Sequence, residues 1–451
     1  MNAQPPSSHG EGAKHRSRRL SLSFATSVVS KVGSIAALAL AMPIAVRALG
    51  KDRYGAYCAL VSGISWLAAV NIGGGPALTR AIANATVTND RDEERRYFSN
   101  ALSMVAACAV LAAACLAALL CLQSSQGILG PAVSQFGAEA EAGLTWLVVL
   151  VPLTMLAGIA DAIYVGHQKQ YITNVWSLVY SLLTIPAFVA VRTFSSTIPA
   201  MALAVYVPLA ITKVGSLTQL LVFQRPYLRF RREDLAWPVL RTLTLSGGAF
   251  FALSAGTYLH TQLAVYVAGR HGAGQAAEMG VMMQISILTL NLVTMGTTPL
   301  WPALIEARMR RDEAWLGRAL RRVMLLTLAG GASLFIAFGL GSAWLARTLY
   351  HIPIHGATAV SWAGACYVIT CAVENVLITL SIAFGILRTA TKLFFFRTLI
   401  VAMLYFPAMD AFGIVGLFAV GSLSVVLGPG PLLYSALKRA IEGNSSAAVT
   451  A

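Results

Sequence analysis

The sequence predicts an all-α polytopic membrane protein of about 12 transmembrane helices, in two six-helix lobes related by a parallel pseudo-two-fold repeat. Three observations predict it. Of 451 residues, 57% are hydrophobic and only 11% are Asp, Glu, Lys or Arg, against about 25% charged in a soluble domain. Mean hydropathy is +0.70, so the chain lacks the polar residues that would cover a soluble surface of its size. The apolar residues come in long runs, enough for roughly twelve spans of about 20 residues. They do not show the apolar–polar alternation of an outer-membrane barrel. A soluble enzyme and a disordered chain are excluded on the same grounds.

Residues 1–19 are polar and end in Lys14, Arg16, Arg18 and Arg19. The apolar run that follows, 20–46, is longer than the core of about 7–15 residues in a signal peptide. It is read as a first span with a cytoplasmic N-terminus. Charge breaks and turn residues place the spans at 22–46, 56–79, 99–121, 143–163, 172–190, 198–223, 242–267, 279–302, 322–346, 357–384, 393–408 and 411–434. The last pair leaves too short a loop, so its turn is expected to consume Phe406 to Ile414, with Pro407, Asp410 and Gly413. The chain then divides into a tail (1–19), a first lobe (20–223), a basic linker (224–241), a second lobe (242–435) and a polar tail (436–451).

Loop charge tests the count, because cytoplasmic loops carry an excess of Lys and Arg. With the N-terminus inside, cytoplasmic segments hold 25 of the 33 basic residues, three of them at 388–397, and the exterior holds six. Lys31 and Lys213 complete the set, inside spans. The net charge of +15 is therefore a topology signal and a contact for anionic membrane lipids, not a nucleic-acid surface. Cys58, Cys108, Cys115, Cys121, Cys366 and Cys371 lie in or beside apolar runs without a CxxC pair. They read as small hydrophobes, not zinc ligands or disulfides.

A faint repeat links the halves. Ala45-Val46, Gly50-Lys51 and Gly55 match Ala264-Val265, Gly269-Arg270 and Gly274 at an offset of 219. An even number of spans per half makes the repeat parallel, a common alternating-access design.

Charges inside spans are costly and face a cavity or a partner. Lys31 lies about 14 Å into the first span at 1.5 Å per residue, and Lys213 lies at similar depth in the sixth. Glu374 is near the middle of span ten, His260 is in span seven nearer the outside, and Asp161 and Arg80 are close to cytoplasmic ends. Bland readings stand beside sharp ones. Lys31 snorkels to the interface, Glu374 pairs with a base to hold two spans together, Asp161 and Arg80 sit at the interface, and His260 makes a helix contact. The sharper reading joins Lys31 and Lys213 as an anion site for phosphate or pyrophosphate. Glu374 then neutralises them or couples a cation, and His260 relays a proton.

Span two contains Asn71-Ile-Gly-Gly-Gly-Pro76, a break tolerated only against protein or a wet cavity. Pro43, Pro152, Pro186 and Pro208 also interrupt spans, and Gly247, Gly248 and Gly256 allow close packing. No nucleotide-binding GxxxxGK[ST] loop, HExxH motif or long soluble segment is present, so no enzyme activity, cofactor or metal is expected. Any transport is coupled to a gradient or runs down one.

The stretch Ala48-Leu-Gly-Lys-Asp-Arg-Tyr-Gly-Ala-Tyr57 is similar to the LGxxxYGxY-like turn of polysaccharide flippases. Gly73 to Ala83, with Arg80, resembles the end of their second span. So does the order of twelve spans with a basic middle linker and a basic loop after span eight. Over about 20–435 the chain resembles the O-antigen and exopolysaccharide flippases of the multidrug/oligosaccharidyl-lipid/polysaccharide (MOP) exporter superfamily. The resemblance implies export of undecaprenyl-pyrophosphate-linked oligosaccharide across a bacterial inner membrane by two lobes in a V with a cationic cavity. It implies Lys31, Arg80 and Lys213 as pyrophosphate contacts, cytoplasmic termini, and a polysaccharide polymerase and chain-length regulator as partners. Only two lysines lie deep in the membrane, fewer than a strongly cationic cavity would hold. A cation-coupled drug or metabolite antiporter of the same superfamily is the first alternative, favoured by buried acids. A glycan polymerase or ligase is the second, disfavoured by the short exterior loops. Cysteine labelling in the loops at 133 and 233 is expected to give opposite sidedness, and same-side labelling would overturn the span assignment.

Overall fold

The computed structural model describes residues 8–69, 74–88, 90–126, 129–297, 304, 313–384 and 386–449. Among these residues the chain is helical, without strands. The first lobe holds α1 (Ser8–Ala69), α2 (Gly74–Thr88), α3 (Arg91–Gln126), the short α4 (Pro131–Ser134), α5 (Gly137–Ala157), α6 (Ile159–Gly166), α7 (Gln170–Phe194) and α8 (Ile198–Thr218). A π-helical turn, Gln219–Gln224, leads into an irregular linker. The second lobe holds α9 (Trp237–His271), α10 (Ala273–Thr297), α11 (Glu313–Thr348), α12 (Ala357–Ala383), α13 (Leu387–Leu427) and α14 (Pro429–Val449).

Nine of the described helices are long and apolar enough to cross a membrane. Two of the nine are hairpins, turning at Gly50 and at Gly413, and α9 supplies a further helix of crossing length. The described residues therefore make twelve passes. The glycine turns share one end of the molecule, here the turn face. Gly50, Gly130, Gly272, Gly356 and Gly413 all adopt φ between +58° and +138°, a region that other L-residues rarely enter. The other end, the linker face, carries the 225–236 segment.

Three expectations are corrected. The last hairpin turns at Gly413 alone, and the helix runs through Pro407 and Asp410, so Phe406 to Ile414 is not consumed as a loop. The repeat is displaced by three residues. Gly272 makes the turn that corresponds to Gly50, whereas Gly269 lies within α9, where an added Cβ would stand 2.6 Å from the Ala59 Cβ. Arg397 lies ten residues inside α13 and is buried, which removes one from the cytoplasmic count. Asn71 to Gly73 and residues 308–312 of the basic loop lie outside the described residues. Val133 is buried and Gln135 exposed, so Gln135 is the usable labelling position on that turn.

Helices α1 to α4 meet α9 and α10 across the lobe boundary, and the contact is tight at the turn face. A Cβ on Gly55 would stand 1.8 Å from the carbonyl oxygen of Ala273, and one on Gly280 would stand 2.8 Å from Cys58 Sγ. Small residues let two membrane helices approach this closely, where dispersion replaces the missing hydrophobic drive. Leu49, Tyr54 and Tyr57 are buried around the same turn. The residues that carried the flippase resemblance thus pack the lobes together. Ser62 Oγ donates to Gln262 Oε1 (3.0 Å) deeper along the boundary.

The linker belongs physically to the first lobe. Arg95 Nε donates to Asp234 Oδ2 (2.8 Å), Asn100 Nδ2 to the Asp234 carbonyl (2.8 Å), and the Ala236 amide to Asn100 Oδ1 (3.1 Å). Tyr227 donates to Glu94 Oε2 at 2.5 Å, and Glu94 also pairs with His167.

Gly55→Val is expected to destabilise this closed arrangement by about 1–3 kcal/mol through overpacking. Thermal unfolding in detergent checks it, and an unchanged midpoint would contradict the contact.

Candidate functional site

The membrane-embedded charges fall into two separate centres, one in each lobe. In the second lobe three helices converge on Arg397. Its Nη1 donates to both Glu374 oxygens (2.6 and 2.5 Å), its Nη2 to His260 Nε2 (2.8 Å), and its Nε to Ser424 Oγ (2.9 Å). Glu374, Arg397 and His260 are all at most 5% exposed. A guanidinium can only donate, so His260 Nε2 is the acceptor and the ring proton sits on Nδ1, facing Tyr367 Oη at 3.3 Å. The His260 ring stacks on Tyr367, with centroids 5.5 Å apart and planes 6° apart. Gly256 on α9 leaves room for this packing, since a Cβ there would stand 2.7 Å from Phe394 Cδ1. A Cβ at Gly248 would meet nothing.

This centre is neutral in sum, with Arg397 Nη1 set between the two Glu374 oxygens in a charge-assisted contact that holds an ion pair in a poorly solvated interior. It corrects the sharp reading of Glu374, whose carboxylate is satisfied within its own lobe by Arg397 and does not face the first-lobe lysines. It supports the bland reading, in which Glu374 pairs with a base to hold helices together. His260 likewise contacts α12 and α13 side chains in this structure. Sequence reasoning missed Arg397 by counting it with the loop at 388–397. The signal was present, because Arg397 interrupts the apolar run Leu393-Phe-Phe-Phe-Arg-Thr-Leu-Ile400.

In the first lobe Lys213 Nζ on α8 pairs with Asp161 Oδ2 on α6. Both side chains are 29% exposed, unlike the buried second-lobe centre. Near them Tyr164 Oη donates to the Ser216 carbonyl (3.3 Å), and Trp176 Nε1 donates to Gln219 Oε1 (2.8 Å). Lys31 is half-buried on α1, one turn before Ser34, whose hydroxyl meets that of Ser181 at 2.9 Å. Residues three apart share a helix face, so Lys31 lies on the side of α1 turned toward α7. Arg80 on α2 is exposed. Asp161 is the counter-ion of Lys213. Each of the six cysteines is free.

At the turn face a second charged cluster crosses the lobe boundary. Lys51 Nζ of the first lobe donates to Glu278 Oε1 of the second (2.8 Å). The backbone N–H of His355 donates to Glu278 Oε2 (3.0 Å), and its Nδ1 donates to Oε1 (2.6 Å). The sequence had marked neither Glu278 nor His355, because both lie at span ends where polar residues are ordinary.

Against solved structures the whole architecture has counterparts. A multidrug resistance MATE family transporter of the MOP superfamily, inward-facing, matches with a TM-score of 0.73 at 16% identity, over 90% of this chain and 96% of that one. An outward-facing MATE family transporter matches with a TM-score of 0.65 at 17% identity, over 92% and 96%. A mutant Vibrio cholerae MATE transporter matches with a TM-score of 0.69 at 14% identity, over 95% and 98%. No protein-family profile matches the chain, and no curated protein matches it. The fold is that of the MATE transporters, two helical lobes in a multi-pass membrane protein, and at these identities the fold alone is shared.

Removing one partner of the second-lobe pair is expected to cost about 3–5 kcal/mol, because a charge is left buried. Arg397→Met and Glu374→Gln should each lower the folded yield on size exclusion in detergent, and the double variant should recover most of it. Additive losses would contradict the pairing.

Proposed function

We propose that the protein is an exporter working by alternating access between its two lobes, and that this structure is its inward-facing state. The lobe boundary carries the reading. It is closed at the turn face by glycine-mediated contacts and one exchangeable ion pair, Lys51–Glu278. The higher TM-score with the inward-facing MATE transporter than with the outward-facing one, 0.73 against 0.65, supports it. The excess of Lys and Arg in linker-face loops supports a cytoplasmic position for that face, in the inner membrane of a bacterial cell.

The cargo reading moves toward the alternative. The solved neighbours include multidrug resistance transporters, and the half-exposed first-lobe pair contains an acid. A cationic solute or a proton that displaces Lys213 from Asp161 converts cargo binding into a local charge change. We therefore favour a drug or metabolite antiporter with Asp161 as the exchanging acid. Lipid-linked oligosaccharide export remains the second reading. It is favoured by the excess of bases over acids among Lys31, Lys213, Arg80 and Asp161, which suits a pyrophosphate end.

Two assays separate them. In inside-out vesicles with an imposed proton gradient, Asp161→Asn should reduce transport of a cationic dye such as ethidium by about tenfold, or about 1.4 kcal/mol. The Lys31→Gln/Lys213→Gln variant should retain it. In a strain lacking its own flippase, the oligosaccharide reading requires the opposite: surface glycan lost with the double lysine variant and kept with Asp161→Asn. Dye transport indifferent to Asp161 would overturn the antiporter reading.

A further inference from the structure

The turn-face cluster holds two cationic or potentially cationic groups, Lys51 and His355, on one carboxylate. Glu278 is 2% exposed at its side chain, Lys51 is 30% exposed and His355 is 85% exposed. Lys51 Nζ and His355 Nδ1 both reach the same oxygen, Glu278 Oε1, at 2.8 and 2.6 Å. A carboxylate only accepts, so Nδ1 carries the proton and Nε2 remains for a second one. His355 stands beside a cavity of about 430 Å³ whose lining includes Lys51, Glu278, Val360, Phe412 and Ile414. That cavity gives solvent protons a path to the ring.

The two donors differ in which lobe they come from. Lys51 lies on the first lobe, so its bond to Glu278 ties the lobes together. Glu278 and His355 are both second-lobe residues, so their bond ties nothing across the boundary. We propose that protonation of His355 from the turn-face side turns its existing hydrogen bond to Glu278 into an intra-lobe ion pair that displaces the inter-lobe Lys51–Glu278 pair, releasing the closed face. The added charge strengthens the imidazolium–carboxylate bond. It also places a second cation next to the Lys51 ammonium, which repels it. No covalent step is involved: one proton enters at Nε2 and one ion pair exchanges its cation. The proposal rests on the alternating-access reading above and makes acid on the turn-face side a signal for opening.

The charged groups around the ring can be named element by element. Helix α1 offers Lys51 and α10 offers Glu278, and the α13 turn beside the cavity carries Asp410. Asp410 is held by His271 Nε2 at 2.7 Å. His271 Nδ1 faces the Val267 carbonyl at 3.1 Å, so both ring nitrogens point at acceptors. The hydrogen bond to Asp410 raises the His271 pKa above the ordinary imidazole value. That pair is present at acid pH and is lost as pH rises through the raised pKa. It lies wholly within the second lobe, and it titrates on the same face, so it must be controlled for.

The test uses the full-length protein in lipid nanodiscs, with the native cysteines replaced by alanine and spin labels at Ala142 of the first lobe and Thr348 of the second. Both positions are exposed at the turn-face end of their helices. Pulsed electron resonance reads the distance distribution at about pH 7.5 and about pH 5.5, which bracket imidazole titration. A long-distance population that grows about threefold or more at the lower pH is expected, a change of about 0.65 kcal/mol. Lys51→Gln should show that population at both pH values. His355→Gln should abolish the pH response, and His271→Gln should leave it intact. A response that survives in His355→Gln, or disappears in His271→Gln, overturns the proposal. If Lys51→Gln opens the face but wild type ignores pH, the proton switch fails while alternating access stands. If no variant ever shows a second distance, alternating access fails with it.

Discussion

Gly55 lies against the carbonyl of Ala273, and the joining of the two lobes depends on that approach. Lipid offers no hydrophobic gain for pressing two apolar helices together, so close packing and exchangeable polar contacts must do it. The chain meets this with glycines and alanines along 55–64 and 264–280, and with buried Tyr54 and Tyr57 filling the flanks. The positive-φ glycines at the same end let each hairpin close in a very short turn. Short turns keep that face free of bulky loops, which is what a surface that must meet and part requires.

Charge burial sets the second constraint. A charge taken into hydrocarbon must bring its partner or reach water. The second lobe follows the first course completely, with Arg397 chelated by Glu374 and capped by His260 and Ser424. The first lobe follows it only in part, pairing Lys213 with Asp161 but leaving both side chains 29% exposed. The two lobes are thus built alike in topology and unlike in chemistry. One is a fixed electrostatic core and the other presents an exchangeable pair. Under the proposed function, cargo exchange belongs to the first lobe and rigidity to the second. The linker is pinned to α3 through Asp234 and Tyr227, so in the proposed cycle it belongs with the first lobe as far as Ala236.

Much of the fold was legible in the sequence. Long apolar runs broken by charge gave the twelve passes, because hydrocarbon thickness dictates their length. Turn positions were less legible. Pro407 and Asp410 look like a loop but are carried inside a helix, since a proline in a membrane helix can be accommodated by its neighbours. The repeat was visible only out of register, because Gly269 and Gly272 are both glycines and only the backbone tells which one turns. The candidate charges were correctly singled out as costly, but their partners were not. Glu374 and Arg397 are 23 residues apart on different helices, and Lys213 and Asp161 are 52 apart. Pairing at such separation is decided by helix packing, which a single sequence does not display. The motif Ala48 to Tyr57 pointed to the right fold for a structural reason, since Leu49, Tyr54, Gly55 and Tyr57 pack at the lobe boundary.

The central claim is that two rigid lobes rock about this boundary. Pulsed electron resonance on one sample set measures it most directly, with one label pair across the turn face and another across the linker face. Thr88 and Lys392, both exposed, serve for the linker face. The account predicts two populations whose distances move in opposite senses, short at one face when long at the other. A single fixed distance at both faces, or distances that lengthen together, would contradict it.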